Sequence, residues 1–122
     1  MKIEELFSVR GKVAVVTGGS RGIGEMIARA YVENGVKVYI TARKAETCDA
    51  LANELSRTGE CISIPADISC LEDIDRLVAE IEKHESKLDI LVNSAGASWG
   101  AGFVSFPASG WEIIANVLLF SI

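Results

Sequence analysis

The sequence predicts an α/β fold: a parallel sheet of about four strands in the order 3-2-1-4, with helices on both faces. Three observations predict it. Apolar runs rich in valine and isoleucine alternate with helical patterns along the chain, as in successive βαβ units. The first run leads straight into a glycine-rich turn that opens a helix, Thr17-Gly18-Gly19-Ser20-Arg21-Gly22-Ile23-Gly24. The apolar fraction is 49% and the mean hydropathy +0.29, high for 122 residues. Parallel strands covered on both faces read as continuous apolar runs, which accounts for much of that excess.

In chain order, the first strand is expected over Lys12–Thr17 and the first long helix from Ile23 to Asn34. Asn34-Gly35 closes that helix, since glycine takes the left-handed cap conformation without strain. A second strand spans Val36–Thr41. The next helix carries Cys48, Leu51, Ala52 and Leu55 on one apolar face. A third strand spans Cys61–Pro65. Ser69-Cys70-Leu71-Glu72 has the form of a capping box, and Leu71, Ile74, Leu77, Val78 and Ile81 continue as a buried stripe. A fourth strand spans Leu88–Asn93. Ala97 to Gly110 reads as a loop, with Gly100, Gly102, Pro107 and Gly110. Trp111 to Ile122 is apolar with a helical tendency. The stripes are read as core packing. No repeat, linker or low-complexity segment divides residues 1–122, so one domain is expected.

Right-handed crossovers put four such strands in the order 3-2-1-4, the first half of a Rossmann-type sheet with its switch point. Ligands bind there, outside the carboxyl ends of the strands. The ends in question are Thr17-Gly18, Ala42-Arg43, Asp67, and Asn93 to Gly96. A strand, a glycine turn and a helix suit a dinucleotide phosphate, because small residues admit the pyrophosphate and the helix start offers free N–H groups. Gly18, Gly22 and Gly24 would hold the turn, with Ser20 and Arg21 inside it and the Ile23 N–H at the helix start. The spacing is not G-x-G-x-x-G, and the lysine of a G-x-x-x-x-G-K-[ST] loop is absent. The end of the second strand separates NAD from NADP. An acid there binds the ribose 2′-OH; here Ala42 is followed by Arg43, and Arg21 lies in the turn. Two arginines without an acid suit a 2′-phosphate, so NADP(H) is the expected cofactor, with Lys44 adding charge. The alternative is a pair of solvated surface arginines.

A net charge of −5 and a pI near 4.9 argue against nucleic acid and anionic membranes as partners. Met1 to Phe7 has no apolar stretch of the signal-peptide kind, and no run is long enough for a membrane span, so a cytoplasmic location is expected. Cys48, Cys61 and Cys70 form no C-x-x-C and read as reduced thiols, partly in the core. His84 lies at a charged helix end and reads as solvated; no metal site is expected.

Taken together, these residues resemble the short-chain dehydrogenase/reductase family. The likeness is carried by Gly11 to Gly19, by Ala66-Asp67-Ile68, and by Leu88 to Gly96, where Ser94 replaces the commoner second asparagine of N-N-A-G. It runs from about Leu6 to the low 110s. Ser20 to Gly24, Ala42-Arg43 and Ser98-Trp99-Gly100 look most like the family's 3-oxoacyl-(acyl carrier protein) reductases of the rhamnolipid type. The resemblance implies carbonyl reduction, with Asp67 and Ile68 at the adenine and Asn93, Ala95 and Gly96 along the ribose and nicotinamide side. Asn116 stands near the family's helix-four asparagine, two residues early when counted from Trp111. The family's Tyr-x-x-x-Lys pair and upstream serine follow a fifth strand. Here Tyr31 is followed four residues on by Gly35, and Tyr39 by Arg43. The chain is therefore expected to be the NADP(H)-binding portion of such a reductase, inactive alone. The alternative is a non-catalytic fragment or interaction protein that associates with itself or with a full-length homologue.

Overall fold

The computed structural model describes residues 1–96 and 107–118, without the side chains of 117 and 118. A short helix α1 (Ile3–Phe7) precedes β1 (Val13–Thr17), α2 (Gly22–Glu33), β2 (Lys37–Thr41), α3 (Ala45–Leu55), β3 (Cys61–Ser63), α4 (Leu71–Glu82), β4 (Ile90–Asn93) and α5 (Ala108–Leu118). The sheet is parallel, four-stranded and ordered β3-β2-β1-β4, as the crossover rule requires. The register brings the strand ends level: Thr17 lies opposite both Thr41 and Asn93.

Side chains alternate across the sheet, so each strand feeds two cores. On one face Ala14, Val16, Val38 and Ile40 meet Ala28 and Val32 of α2 and Cys48, Leu51, Ala52 and Leu55 of α3. On the other, Val13, Val15 and Tyr39 meet Ile64 and Leu77, the latter from α4. All five residues of β1 are buried, which is why the sequence there has no polar alternation. The three cysteines are free thiols. Cys48 and Cys61 are buried, and burial pushes the Cys61 thiol up to about 12.

At the amino ends of the strands a polar cluster ties β2 to the segment after α4. The Tyr39 hydroxyl donates to Glu85 Oε1 at 3.1 Å, and Lys37 pairs with the same carboxylate. Nearby, the Val13 N–H donates to Asp89 Oδ2 at 2.9 Å, and the Asp89 N–H returns a bond to the Val13 carbonyl. These contacts fix where β4 meets β1.

Several expectations need correction. The strands are shorter than their apolar runs, most clearly β3, which ends at Ser63, and β4, which begins at Ile90. No capping box opens α4. The residue at its N-cap is Cys70, without a side-chain bond, and the Ser69 hydroxyl donates instead to Asp67 Oδ1 at 2.6 Å. The helix starts one residue later than a Ser69 cap needs, and the Ser69 hydroxyl, as donor, closes a local turn on the carboxylate two residues back. The α4 stripe is only half covered: Leu77 is buried, but Leu71 is 72% and Val78 47% exposed. Residues 108–110 belong to the first turn of α5, not to a loop; Pro107, with its fixed φ, leads into the helix rather than breaking it. Residues 97–106, including Ser98-Trp99-Gly100, and residues 119–122 lie outside the described residues. Helix α1 was not foreseen.

Candidate functional site

A cavity of about 480 Å³ opens at the carboxyl ends of the strands. Four segments, far apart in sequence, converge on it: the turn after β1, the end of β2 with the start of α3, the segment after β3, and the segment after β4.

The turn after β1 has its shape because of where its glycines sit. Gly18 has φ +66°, donates its N–H to the Thr41 carbonyl at 2.9 Å, and has no room for a side chain: a Cβ there would lie 2.7 Å from the Ala95 Cα. Gly24, in the first turn of α2, is buried against the Gly18 carbonyl, so any side chain would push the helix off the turn. Gly22 differs. Its φ is +61°, yet nothing lies within 4 Å of where a Cβ would stand. Gly22 leaves open space on the cavity wall, whereas Gly18 and Gly24 permit close packing beneath it. Arg21 precedes α2 in extended backbone and gives no side-chain cap, so the first helix N–H groups are not consumed by it.

Thr17 staples the turn to the fourth segment. Its hydroxyl accepts from the Ser94 N–H at 3.2 Å and the Ala95 N–H at 3.3 Å, and donates to the Val92 carbonyl at 3.3 Å. On the far wall, Ala42, Arg43 and Lys44 run into α3, and Thr47 stands in its first turn. Asp67 closes the floor beside Ile68. Its Oδ1 accepts from both the hydroxyl and the N–H of Ser69, and these two bonds, with the nearby Arg43 guanidinium, hold its carboxyl below the usual range. The Asp67 N–H donates to Asp73 Oδ2 at 2.8 Å, which fixes the loop to α4.

Of the residues singled out in the sequence, Gly18, Ser20, Arg21, Gly22, Ile23, Arg43, Asp67, Ile68, Ala95 and Gly96 lie on the cavity wall. Gly24 lies behind it as a packing residue. Asn93 is exposed at the end of β4, and Asn116 is half-buried on α5; neither is on the wall. Sequence reasoning placed Thr17 at a strand end and Ser94 in the motif after β4 without giving either a role, and passed over Thr41 and Thr47 as site residues. The signal for Thr17 and Thr41 was a threonine ending each of two apolar strands, a place where a hydroxyl reaches the rim. Among the described residues no group of histidine, cysteine and carboxylate side chains is placed to hold a metal, and no helix is long and apolar enough to cross a membrane.

A family model for short chain dehydrogenases matches residues 12–122. The chain belongs to the short chain dehydrogenase family. It is 48% identical over 116 residues to the rhamnolipids biosynthesis 3-oxoacyl-[acyl-carrier-protein] reductase of Pseudomonas aeruginosa, covering 95% of this chain and 45% of that one. It is also 48% identical over 94 residues to the short-chain dehydrogenase/reductase PhomF of Diaporthe leptostromiformis, covering 77% and 32%. Among solved structures, it superposes on the Pseudomonas aeruginosa RhlG/NADP active-site complex with a TM-score of 0.89 and 49% identity, covering 94% of this chain and 45% of that one. The L-sorbose reductase of Gluconobacter frateurii, complexed with NADPH and L-sorbose, gives 0.88 and 27%, covering 93% and 44%. This short-chain dehydrogenase chain spans less than half the length of each of those relatives.

Proposed function

We propose that the cavity binds NADP(H), and that the chain is the cofactor-binding portion of a reductase acting on a carbonyl of the 3-oxoacyl thioester class. The observation that carries the reading is the end of β2. Arg43 and Lys44 stand on the cavity wall where an NAD enzyme would carry an acid, with Arg21 also on the wall. Guanidinium and ammonium groups suit a dianionic 2′-phosphate, and an acid at Ala42 would repel it. Gly22 and the α2 start would take the pyrophosphate, and Asp67 and Ile68 the adenine. Ala95 and Gly96, with Asn93, would border the nicotinamide side. The relatives solved with NADP and NADPH support the cofactor, and the Pseudomonas reductase supports the substrate class.

When bound, the cofactor supplies hydride; proton supply is left to the protein. Neither tyrosine of this chain is placed to give a proton to a carbonyl in the cavity. Tyr39 is 1% exposed and bonded to Glu85 at the opposite rim, and Tyr31 packs in the α2–α3 core. We therefore expect binding without turnover from these 122 residues, with NADPH oxidation in the presence of an acetoacetyl thioester staying at the blank rate. Calorimetric titration tests the cofactor: NADPH should bind more tightly than NADH, and Arg43→Ala should cost roughly tenfold in NADPH affinity while sparing NADH. Equal affinities would overturn the assignment. A second role, association with another copy or a longer homologue, is favoured by the outer face of β4, where Leu91 is 56% exposed, and by Trp111 on α5, 67% exposed. The net negative charge and free thiols fit a reducing, cytoplasmic setting.

A further inference from the structure

Thr41 ends β2 and is 1% exposed, yet its hydroxyl has no hydrogen-bond partner. Among the described residues it is the buried side-chain polar atom so placed. Buried hydroxyls are nearly always paired, and one left unpaired is costly. Its neighbour in register shows what pairing looks like: Thr17, on the adjacent strand, uses its hydroxyl three times. Thr41 also forms part of the cavity wall. Its carbonyl receives the Gly18 N–H, and Arg43 follows two residues on. The residue thus sits between the turn assigned to the pyrophosphate and the cations assigned to the 2′-phosphate, the stretch that the adenosine ribose would span.

We infer that the Thr41 hydroxyl is a binding group for the adenosine ribose of the dinucleotide, left unpaired in the free protein and paired when the cavity fills. The inference rests on the reading of the cavity as an NADP(H) site. One χ1 step moves the Thr41 hydroxyl to another staggered position on Cβ without backbone movement. A hydroxyl can donate to a ribose or phosphate oxygen and can accept from a ribose hydroxyl, so it is suited to either side of the sugar.

The test uses the 122-residue chain, Thr41→Val and Thr41→Ser, titrated with NADPH and with adenosine 2′,5′-bisphosphate, alongside thermal unfolding without ligand. Valine keeps the shape and removes the hydroxyl. Thr41→Val should weaken both ligands roughly five- to tenfold and, because nothing paired is lost, leave the unliganded melting temperature unchanged or higher. Thr41→Ser should retain most of the affinity. Binding by Thr41→Val that equals wild type would overturn the inference. So would a fall in its unliganded melting temperature, which would show a paired, structural hydroxyl. Failure of the wild-type chain to bind either ligand would instead overturn the reading of the cavity itself, and the inference with it.

Discussion

β1 and β4 lie side by side, run parallel and are built from much the same residues, Val-Ala-Val-Val-Thr against Ile-Leu-Val-Asn. Their burial is different. Every residue of β1 is buried, whereas β4 alternates between half-buried and exposed. Val15 and Leu91 are partners in register, yet one is 4% exposed and the other 56%. β1 has a strand on each side and helices on both faces. β4 has β1 on one side and, among the described residues, no strand on the other. Its inward residues Ile90 and Val92 pack on the α2–α3 core, while Leu91 faces the side where α4 leaves Leu71 and Val78 uncovered. Apolar sequence marks a strand; the number of covered faces is set by the neighbours.

The largest test of this comparison sets one strand interior against the other. Ile40, fully buried between α2 and α3, should lose about 2–5 kcal/mol of stability on truncation to alanine. Leu91→Ala should cost less than about 1 kcal/mol if its face is solvated. Chemical denaturation of both variants measures this. A cost at Leu91 equal to that at Ile40 would break the comparison, showing that the face of β4 carrying Leu91 is covered in solution.

A smaller effect separates two glycines of one turn. Gly24→Ala drives a methyl into the Gly18 carbonyl and should destabilise by about 1–3 kcal/mol, with cofactor binding lost as the turn shifts. Gly22→Ala meets no neighbour and should cost about 1–2 kcal/mol for its left-handed backbone, while its methyl intrudes on the cavity. Denaturation and NADPH titration, run together, should show Gly24→Ala failing first in stability and Gly22→Ala first in binding. Equal stability of Gly24→Ala and wild type would mean that the helix can slide away from the turn.

What could be read from the residues, and what could not, follows the same division. The strand order and the convergence of four rim segments were legible because apolar runs, glycines and crossover handedness are local or topological facts. The roles within the glycine turn were only half legible: sequence shows three glycines but not that Gly24 packs behind the wall while Gly22 lines it. The capping box failed because the helix starts at Leu71, one residue later than the pattern needs, and Ser69 closes a turn on Asp67 instead. The α4 stripe failed at Leu71 and Val78 because helical periodicity shows which side is apolar, not whether anything covers it. The roles of Thr17 and Thr41 were not legible because one atom type does opposite things in them, stapling three groups in one and none in the other.

The smallest effect concerns the polar cluster at the amino rim, where β2 is tied to the segment leading into β4. The bond and ion pair with Lys37 lower the Glu85 carboxyl below its usual range, with the Tyr39 hydroxyl adding to this against partial burial. Glu85 in turn raises Lys37. Tyr39 is raised chiefly by burial, then by Glu85. A carboxylate whose pKa falls on folding contributes stability that is complete above its unfolded value and is lost as pH drops through the folded one. The lysine and the tyrosine, both raised, contribute below their unfolded values and lose that contribution as pH rises beyond them. The cluster therefore supports the fold between roughly pH 5 and pH 10 and fails on both sides. Asp89 adds to the acid limb, because the Val13 N–H holds its carboxyl low. Glu85→Gln should lower stability at pH 7 by no more than about 1 kcal/mol, because Lys37 is still partly solvated. It should also flatten the decline of stability between pH 5 and pH 3. Denaturation midpoints across that range would show it, and an unchanged acid limb would mean that the tie from β2 to the β4 approach is made by Asp89 and Val13 alone.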